Sequence, residues 1–453
     1  MSPLFGTDGV RGVANRELTP ELAFRIGRAA AATLHDGTND ERPFVVGRDT
    51  RISGSMLEAA IVAGITSAGR NALLVGVVPT PAVASIARNV NAAAGVVISA
   101  SHNPVPDNGI KLLAGDGYKL SDELERQIEA VLDSPDLPRP TGTAVGVARA
   151  ALNLARYYYH ELYEGQPDLG GMKVIVDAGC GAAYAIAPYA LRKLGATVVE
   201  LNCESDGARI NVECGATDLR ELQRAVARHA ADGDGRAIGV AFDGDADRAL
   251  FVDETGAILT GDHVMFAIGT EMHSNRELKD DTIVATVMSN IGFEHALREH
   301  GIKLIRTAVG DRYVLERMRE GSYTLGGEQS GHIIDLRYNT TGDGPRTAVT
   351  LLAIVAARRT TLHDLVSAVR IAPQILVNVP ARDDRVLALD SIREAIASAQ
   401  TALGDSGRLL IRPSGTEPLI RVMAEGEDRP TIERVAGRLA SRIEQEVKRL
   451  AAP

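Results

Sequence analysis

Short strands that are apolar on both faces, separated by helical stretches, recur along this chain and constrain its fold more than any other feature. Such strands must be buried on both sides, which is the condition of a parallel sheet with βαβ crossovers. Thr19 as N-cap and Pro20 at the first helical position open a helix running to about His35. Pro43–Gly47, Ala72–Val78 and Gly95–Ser99 are strands, with a helix over Met56–Ala68. The pattern restarts at Gly171–Asp177, after a Pro/Gly-rich stretch around Asp136–Gly146 and a Tyr-rich helix. It restarts again at Thr282–Val287, after a helix near Asp262–His273. The tail differs: Gln374–Val379, Gly407–Arg412 and Leu419–Met423 alternate as antiparallel strands do, beside amphipathic helices at about Leu389–Leu403 and Thr431–Leu450. That tail reads as a compact α+β domain following three α/β units.

The length supports this count, since 453 residues at roughly 150 per domain make three domains, or four if one is small. A net charge of −10 argues against a chain that coats nucleic acid or an anionic membrane, but leaves room for a small anion in a local basic pocket. The start, Met1–Gly6, lacks a basic and then apolar leader, and no apolar run is long enough to span a bilayer. Cys180, Cys203 and Cys214 have no metal-ligand spacing and read as reduced thiols. A cytoplasmic protein is expected.

Four loops carry chemistry. Ser99-Ala100-Ser101-His102-Asn103-Pro104 leaves an apolar strand, where α/β folds place ligands. Without the G-x-S-x-G elbow, Ser101 beside His102 and the later Lys111 suits phosphoryl transfer better than acyl transfer, although the segment also reads as an ordinary turn. Asp243-Gly244-Asp245-Ala246-Asp247-Arg248 sets three carboxylates at alternate positions between two strands, an oxygen set for Mg²⁺. It lacks the glycine and flanking helices of an EF-hand; an acidic surface turn, or Asp243 as an aspartyl-phosphate nucleophile, are the competing readings. Gly326-Gly327-Glu328-Gln329-Ser330-Gly331-His332 could grip sugar hydroxyls or an amine through Glu328 and Ser330, and equally reads as a strand-end turn. Arg412-Pro413-Ser414-Gly415-Thr416-Glu417-Pro418, followed by Arg421, offers hydroxyls, backbone N–H groups and two guanidiniums, a phosphate cradle or an exposed hairpin loop. Arg11 in Phe5–Gly12 and the segment Gly47–Arg51 are further turns, each open to a structural or ion-pair role.

In this order, the loops closely resemble the α-D-phosphohexomutase superfamily, from FGTDGVRG at Phe5–Gly12 to RPSGTEPLIRVM at Arg412–Met423. The glucosamine-directed branch is resembled in GTDGVRG, in DNGIKLLAGDGYKLSDELE at Asp107–Glu125, in TVMSNIGFE at Thr286–Glu294, in RTAVGDRYVLERM at Arg306–Met318 and in GGEQSGHII at Gly326–Ile334, with Gln329 after Glu328 and Asp311 after Gly310. The resemblance implies four domains around a central cleft: three related α/β domains with mixed or parallel sheets at 1–152, 153–254 and 255–368, and a small mobile α+β domain at 369–453. It implies that Ser101 is a phosphoserine and, with Asp243, Asp245 and Asp247, holds one Mg²⁺. By the same resemblance Arg11, His102 and Lys111 surround the moving phosphate, Glu328 and Ser330 meet sugar hydroxyls, and Arg412, Ser414, Gly415, Thr416 and Arg421 anchor the phosphate at rest.

The implied reaction is an isomerase step, a phosphoryl transfer between the 6- and 1-hydroxyls of a glucosamine phosphate through a 1,6-bisphosphate. Glucosamine 1,6-bisphosphate, or phosphorylation of Ser101, would prime it, and the product would feed UDP-N-acetylglucosamine and peptidoglycan precursors. The partner is thus a small hexosamine phosphate, with no nucleic acid or membrane; a homodimer is left open. The alternatives are the same transfer on mannose or glucose phosphates, an aspartyl-phosphate phosphatase, and a non-catalytic sugar-phosphate binder. Two segments depart from the superfamily pattern, Asp177-Ala178-Gly179-Cys180-Gly181 and Ala216-Thr217-Asp218, and both are expected to lie away from the four loops.

Overall fold

In the computed structural model, which describes residues 4–6, 8–35, 40–231, 236–381, 384–413 and 418–451, apolar runs and local caps set most element boundaries. Thr19 caps the helix Pro20–Thr33 by accepting the Leu22 N–H at 3.2 Å. The chain divides into one unit of Met1–Thr286 with Ile305–Ser367, and a second of Val287–Leu304 with Ala368–Pro453. Among the described residues no helix is long and apolar enough to cross a membrane.

The first unit holds three sheets. The first has six strands in the order Val10–Val13, Asp107–Ala114, Ala94–Ile98, Phe44–Arg48, Ala72–Val77 and Ala148–Ala150. Phe44–Arg48 runs parallel to both Ala72–Val77 and Ala94–Ile98, as the apolar pattern requires. Asp107–Ala114, however, runs antiparallel to Ala94–Ile98 and to Val10–Val13, so the sheet is mixed. Neither of those two strands is evident in the sequence, because Arg11, Asn108, Gly109 and Lys111 interrupt their apolar character. The Ser101 loop therefore joins two antiparallel neighbours and does not open a crossover.

Helices Pro20–Thr33 and Gly54–Ser67 pack on this sheet against Phe44, Val46, Ile98 and Ile110. A Cβ on Gly64 would sit 2.1 Å from the carbonyl oxygen of Phe24, so the two backbones touch where only glycine fits. Gly64→Val is expected to destabilise the protein by about 2–4 kcal/mol through overpacking, read as a lowered denaturant midpoint.

In the second sheet Lys173–Asp177 lies parallel to both Thr197–Leu201 and Ala237–Phe242, and Ala249–Val252 returns antiparallel to Ala237–Phe242. The Asp243–Arg248 loop is that return. In the third, Thr282–Thr286 pairs parallel with Leu325–Gly327, which pairs antiparallel with Ile333–Asp335. The Gly326–His332 loop is the turn between the last two.

In the second unit, Gln374–Pro380, Leu419–Gly426 and Gly407–Pro413 form an antiparallel sheet with Leu419–Gly426 at its centre, covered by helices Asp390–Leu403 and Arg429–Ala451. Asn290 ties Val287–Leu304 to this body: its amide oxygen accepts the Ala372 N–H at 2.9 Å, and its amide nitrogen donates to the Ala372 carbonyl at 3.1 Å.

Candidate active site

The first and second sheets bring the serine loop onto the acidic loop. Ser101 is 1% exposed, and its hydroxyl donates to Asp243 Oδ2 at 2.6 Å. Both loops hold a non-glycine residue in the left-handed region, Ser101 at φ 51° and Ala246 at φ 55°, a strained backbone of the kind that recurs at functional sites. Gly244 permits the approach, since a Cβ there would lie 2.5 Å from the Ser101 carbonyl oxygen.

Asp243, Asp245 and Asp247 are all buried, and their ligand atoms lie within 4.8 Å of one another. Burial, then the charges of Asp247 and Asp245, push the Asp243 carboxyl up to about 8. Thr80 Oγ1 donates to Asp245 Oδ2 at 2.6 Å and Lys111 Nζ to the same oxygen at 2.8 Å, whereas Asp245 Oδ1 is buried with no hydrogen-bond partner. Three converging carboxylates, two buried oxygens without a hydrogen bond (Asp245 Oδ1 and Asp247 Oδ1) and one carboxyl driven toward neutrality are the setting a hard dication would relieve. The residues fit Mg²⁺.

Lys111 spans Asp245 and, at 3.4 Å, Asp247; against the cost of burial, Asp245, Asp247 and Asp8 hold its ammonium well above the usual lysine range. His102 Nδ1 lies 3.3 Å from the Ser101 hydroxyl, and burial together with Arg248 and Arg11 lowers its pKa. Arg11 pairs with Asp8 at 3.2 Å and donates to Asn103 Oδ1 at 3.3 Å. Arg11, Ser101, His102, Lys111 and the three aspartates are therefore gathered in one place.

The third loop joins through His332 and Lys119, to which the sequence assigns no role, together with Asp311. His332 Nε2 accepts the Gly342 N–H at 3.1 Å, which leaves Nδ1 facing Asp247 Oδ1 at 3.6 Å. His332 Nε2 also lies 3.5 Å from Asp311, which is ion-paired with Lys119, and Lys119 reaches Asp8 at 3.4 Å. Glu328 Oε1 accepts the Gly310 N–H at 3.2 Å, next to Asp311, and the Ser330 hydroxyl is buried without a partner. A chain of polar and charged side chains thus links Lys111, Asp247, His332, Asp311, Lys119, Asp8 and Arg11. Two of the segments that carry the sequence resemblance are partners here. Lys119 meets Asp311, Arg312 pairs with Asp122 and Glu125, and Arg319 stacks 4.5 Å over Tyr118.

The two departing segments do not lie apart from the chemistry as expected. Ala182 N–H donates to the Gly244 carbonyl at 2.8 Å, and a Cβ on Gly181 would come within 2.5 Å of the same oxygen. Thr217 Oγ1 donates to the carbonyl of Asn211, whose side-chain amide donates to the Ser101 carbonyl at 2.8 Å. A Gly-Cys-Gly turn is the shape the acidic loop leaves behind it, which no local pattern discloses.

In the second unit Arg412 and Arg421 stand directly opposite each other across neighbouring strands. Burial and then Arg421 lower the Arg412 pKa, the mark of like charges that an anion would offset. Ser414, Gly415 and Thr416 lie outside the described residues. Cys180, Cys203 and Cys214 are free thiols.

Comparison with known proteins covers the whole chain. Phosphoglucomutase/phosphomannomutase alpha/beta/alpha domains I, II and III match residues 2–139, 157–256 and 260–371, and the C-terminal domain of the same family matches 376–442. The chain is 50% identical over 447 residues to a phosphoglucosamine mutase of Rhodococcus jostii (strain RHA1), covering 98% of this chain and 99% of that one. It is 49% identical to the phosphoglucosamine mutase of Caldanaerobacter subterraneus subsp. tengcongensis, over 99% of this chain and 100% of the relative. Among solved structures, a phosphoglucomutase/phosphomannomutase family protein from Burkholderia thailandensis superposes with a TM-score of 0.83 at 25% identity, over 99% and 98% of the two chains. An N-acetylphosphoglucosamine mutase from Aspergillus fumigatus, solved with GlcNAc-6P and magnesium, shares the fold at a TM-score of 0.65 and 18% identity, over 98% of this chain and 96% of its own. From the first sheet to the tail, the chain belongs to the phosphoglucomutase/phosphomannomutase family of the α-D-phosphohexomutase superfamily.

Proposed function

We propose that this chain interconverts glucosamine 6-phosphate and glucosamine 1-phosphate through a phosphorylated Ser101, supplying a precursor of UDP-N-acetylglucosamine. The observation that carries the reading is the Ser101 hydroxyl, 2.6 Å from Asp243 at the edge of a buried trio of carboxylates. Relatives at about half identity over nearly the full length, each a phosphoglucosamine mutase, direct it to the amino sugar.

The sugar 1-hydroxyl oxygen bonds to the phosphorus held on Ser101 as the bond to Ser101 Oγ breaks, and the hydroxyl proton passes to a neighbouring base. The 1,6-bisphosphate so formed turns by about half a turn and returns its 6-phosphoryl group to Ser101, leaving glucosamine 1-phosphate. His102, held toward its neutral form, is placed to accept a proton, while Lys111 and Arg11 bring positive charge to the phosphoryl oxygens. Asp243, Asp245, Asp247 and an oxygen of the phosphorylated Ser101 would hold Mg²⁺, which when bound neutralises charge on the transferring group. Glu328 and Ser330 contact the sugar. Arg412, Ser414, Gly415, Thr416 and Arg421 hold whichever phosphate is at rest, on a fourth domain at 369–453 that follows three at 1–152, 153–254 and 255–368. A bisphosphate, or phosphorylation of Ser101, primes the first turnover.

Comparing kcat/KM for glucosamine 6-phosphate with the values for glucose and mannose phosphates tests the substrate. Preference for the amino sugar is expected, and equal or reversed preference overturns the assignment. Arg421→Ala is expected to raise KM by about ten- to a hundredfold, since hydrogen bonds to a charged group contribute about 1.5–3 kcal/mol. Unchanged KM and kcat would remove Arg421 from the phosphate site.

A further inference from the structure

We infer that Arg51, on the segment Asp49-Thr50-Arg51, is a positioning residue that holds the backbone of the Ser101 loop in its reactive conformation. The inference rests on the proposed role of Ser101. Arg51 is 1% exposed, and all five of its guanidinium N–H donors are used. Nε donates to Asp49 Oδ2 at 3.0 Å. The other four go to carbonyls of a single loop: Nη1 to Pro104 at 2.7 Å and Asp107 at 2.9 Å, Nη2 to Ser101 at 2.9 Å and Asn103 at 2.8 Å.

A guanidinium that served only as an internal counter-ion would need Asp49 alone. This one gathers four carbonyls around one planar fork, a geometry that a lysine with three rotating donors cannot reproduce. Asp49 completes the clamp from the other side. Its Oδ2 accepts the Ser99 hydroxyl at 2.6 Å, and Ser99 Oγ in turn accepts the Ser101 N–H at 2.9 Å. Both the N–H and the C=O of Ser101 are thereby tied to this one segment, across a residue whose φ of 51° would otherwise relax. Thr50 Oγ1 donates to the Cys180 carbonyl at 2.5 Å, so the clamp is itself fixed to the turn behind the acidic loop. In-line transfer tolerates little misplacement of Ser101 Oγ, and holding it costs nothing at the moment of reaction if the loop is already set.

The test uses Arg51→Lys and, because a buried guanidinium is costly to lose, the milder Ser99→Ala, each as the full chain. Amide exchange over residues 99–109 is expected to rise at least tenfold in both, with other segments unchanged. Referred to the fraction of chains whose Ser101 accepts phosphate from glucosamine 1,6-bisphosphate, kcat is expected to fall at least tenfold, with KM within threefold of the parent. Loop exchange at the parent rate in Ser99→Ala, or a parental kcat per phosphorylatable chain, overturns the clamp. A parent protein without mutase turnover would defeat the functional proposal, while the exchange measurement still decides the clamp.

Discussion

Ser101→Ala is expected to abolish turnover of glucosamine 6-phosphate, a loss of at least roughly 10⁴-fold, because the route carries the phosphoryl group on the serine oxygen that the variant lacks. His102 lies beside the Ser101 hydroxyl and Lys111 on Asp245, but neither supplies an oxygen in place of the serine hydroxyl. The fold should survive. The hydroxyl makes one strong hydrogen bond, to Asp243, so its removal destabilises by about 1–3 kcal/mol. Alanine tolerates the left-handed φ about as well as serine does. A coupled assay together with a thermal melt separates the two effects, and near-normal turnover in the variant rejects the phosphoserine route.

The second large effect is expected at the metal. Asp245→Asn keeps the shape of the side chain and an acceptor for Thr80 Oγ1, but removes one of three carboxylates and half of the pairing that Lys111 enjoys. Activity should fall at least roughly 10³-fold, since removing a single group that stabilises transition-state charge already costs about 10²–10³ and Lys111 is disturbed as well. A readout independent of catalysis accompanies it. Millimolar Mg²⁺ should raise the melting temperature of the parent, because a cation that binds only the folded trio stabilises it by mass action. It should leave the variant's melting temperature unchanged. EDTA-treated parent enzyme with full activity would contradict the metal's role.

Much of this was legible in the sequence, for reasons that are local. Thr19-Pro20 gives the start of a helix, and Phe44–Val46 or Val96–Ile98 give buried strands, because caps and apolar runs act over a few residues. The acidic loop is legible because three carboxylates on six consecutive residues have few structural excuses. The strand Asp107–Ala114 was hidden by its own function: Lys111 points a charge into the interior and breaks the apolar pattern that would reveal it. Thr80, Asn211, Lys119 and His332 were not singled out because each looks ordinary among its neighbours. Only the pairing of sheets that places Thr80 and Lys111 on Asp245, and His332 between Asp247 and Asp311, gives them meaning. Gly181 and Thr217 carry no local signal, because Gly181 abuts Gly244 far along the chain and Thr217 acts only through Asn211, whose amide reaches the Ser101 carbonyl.

The most direct measurement is the position of the phosphate. Parent enzyme incubated with Mg²⁺ and glucosamine 1,6-bisphosphate, digested and mapped by mass spectrometry, should carry one phosphoryl group on Ser101. A phosphate on Asp243 would contradict the account, as would a chain that stays unmodified while turning over substrate.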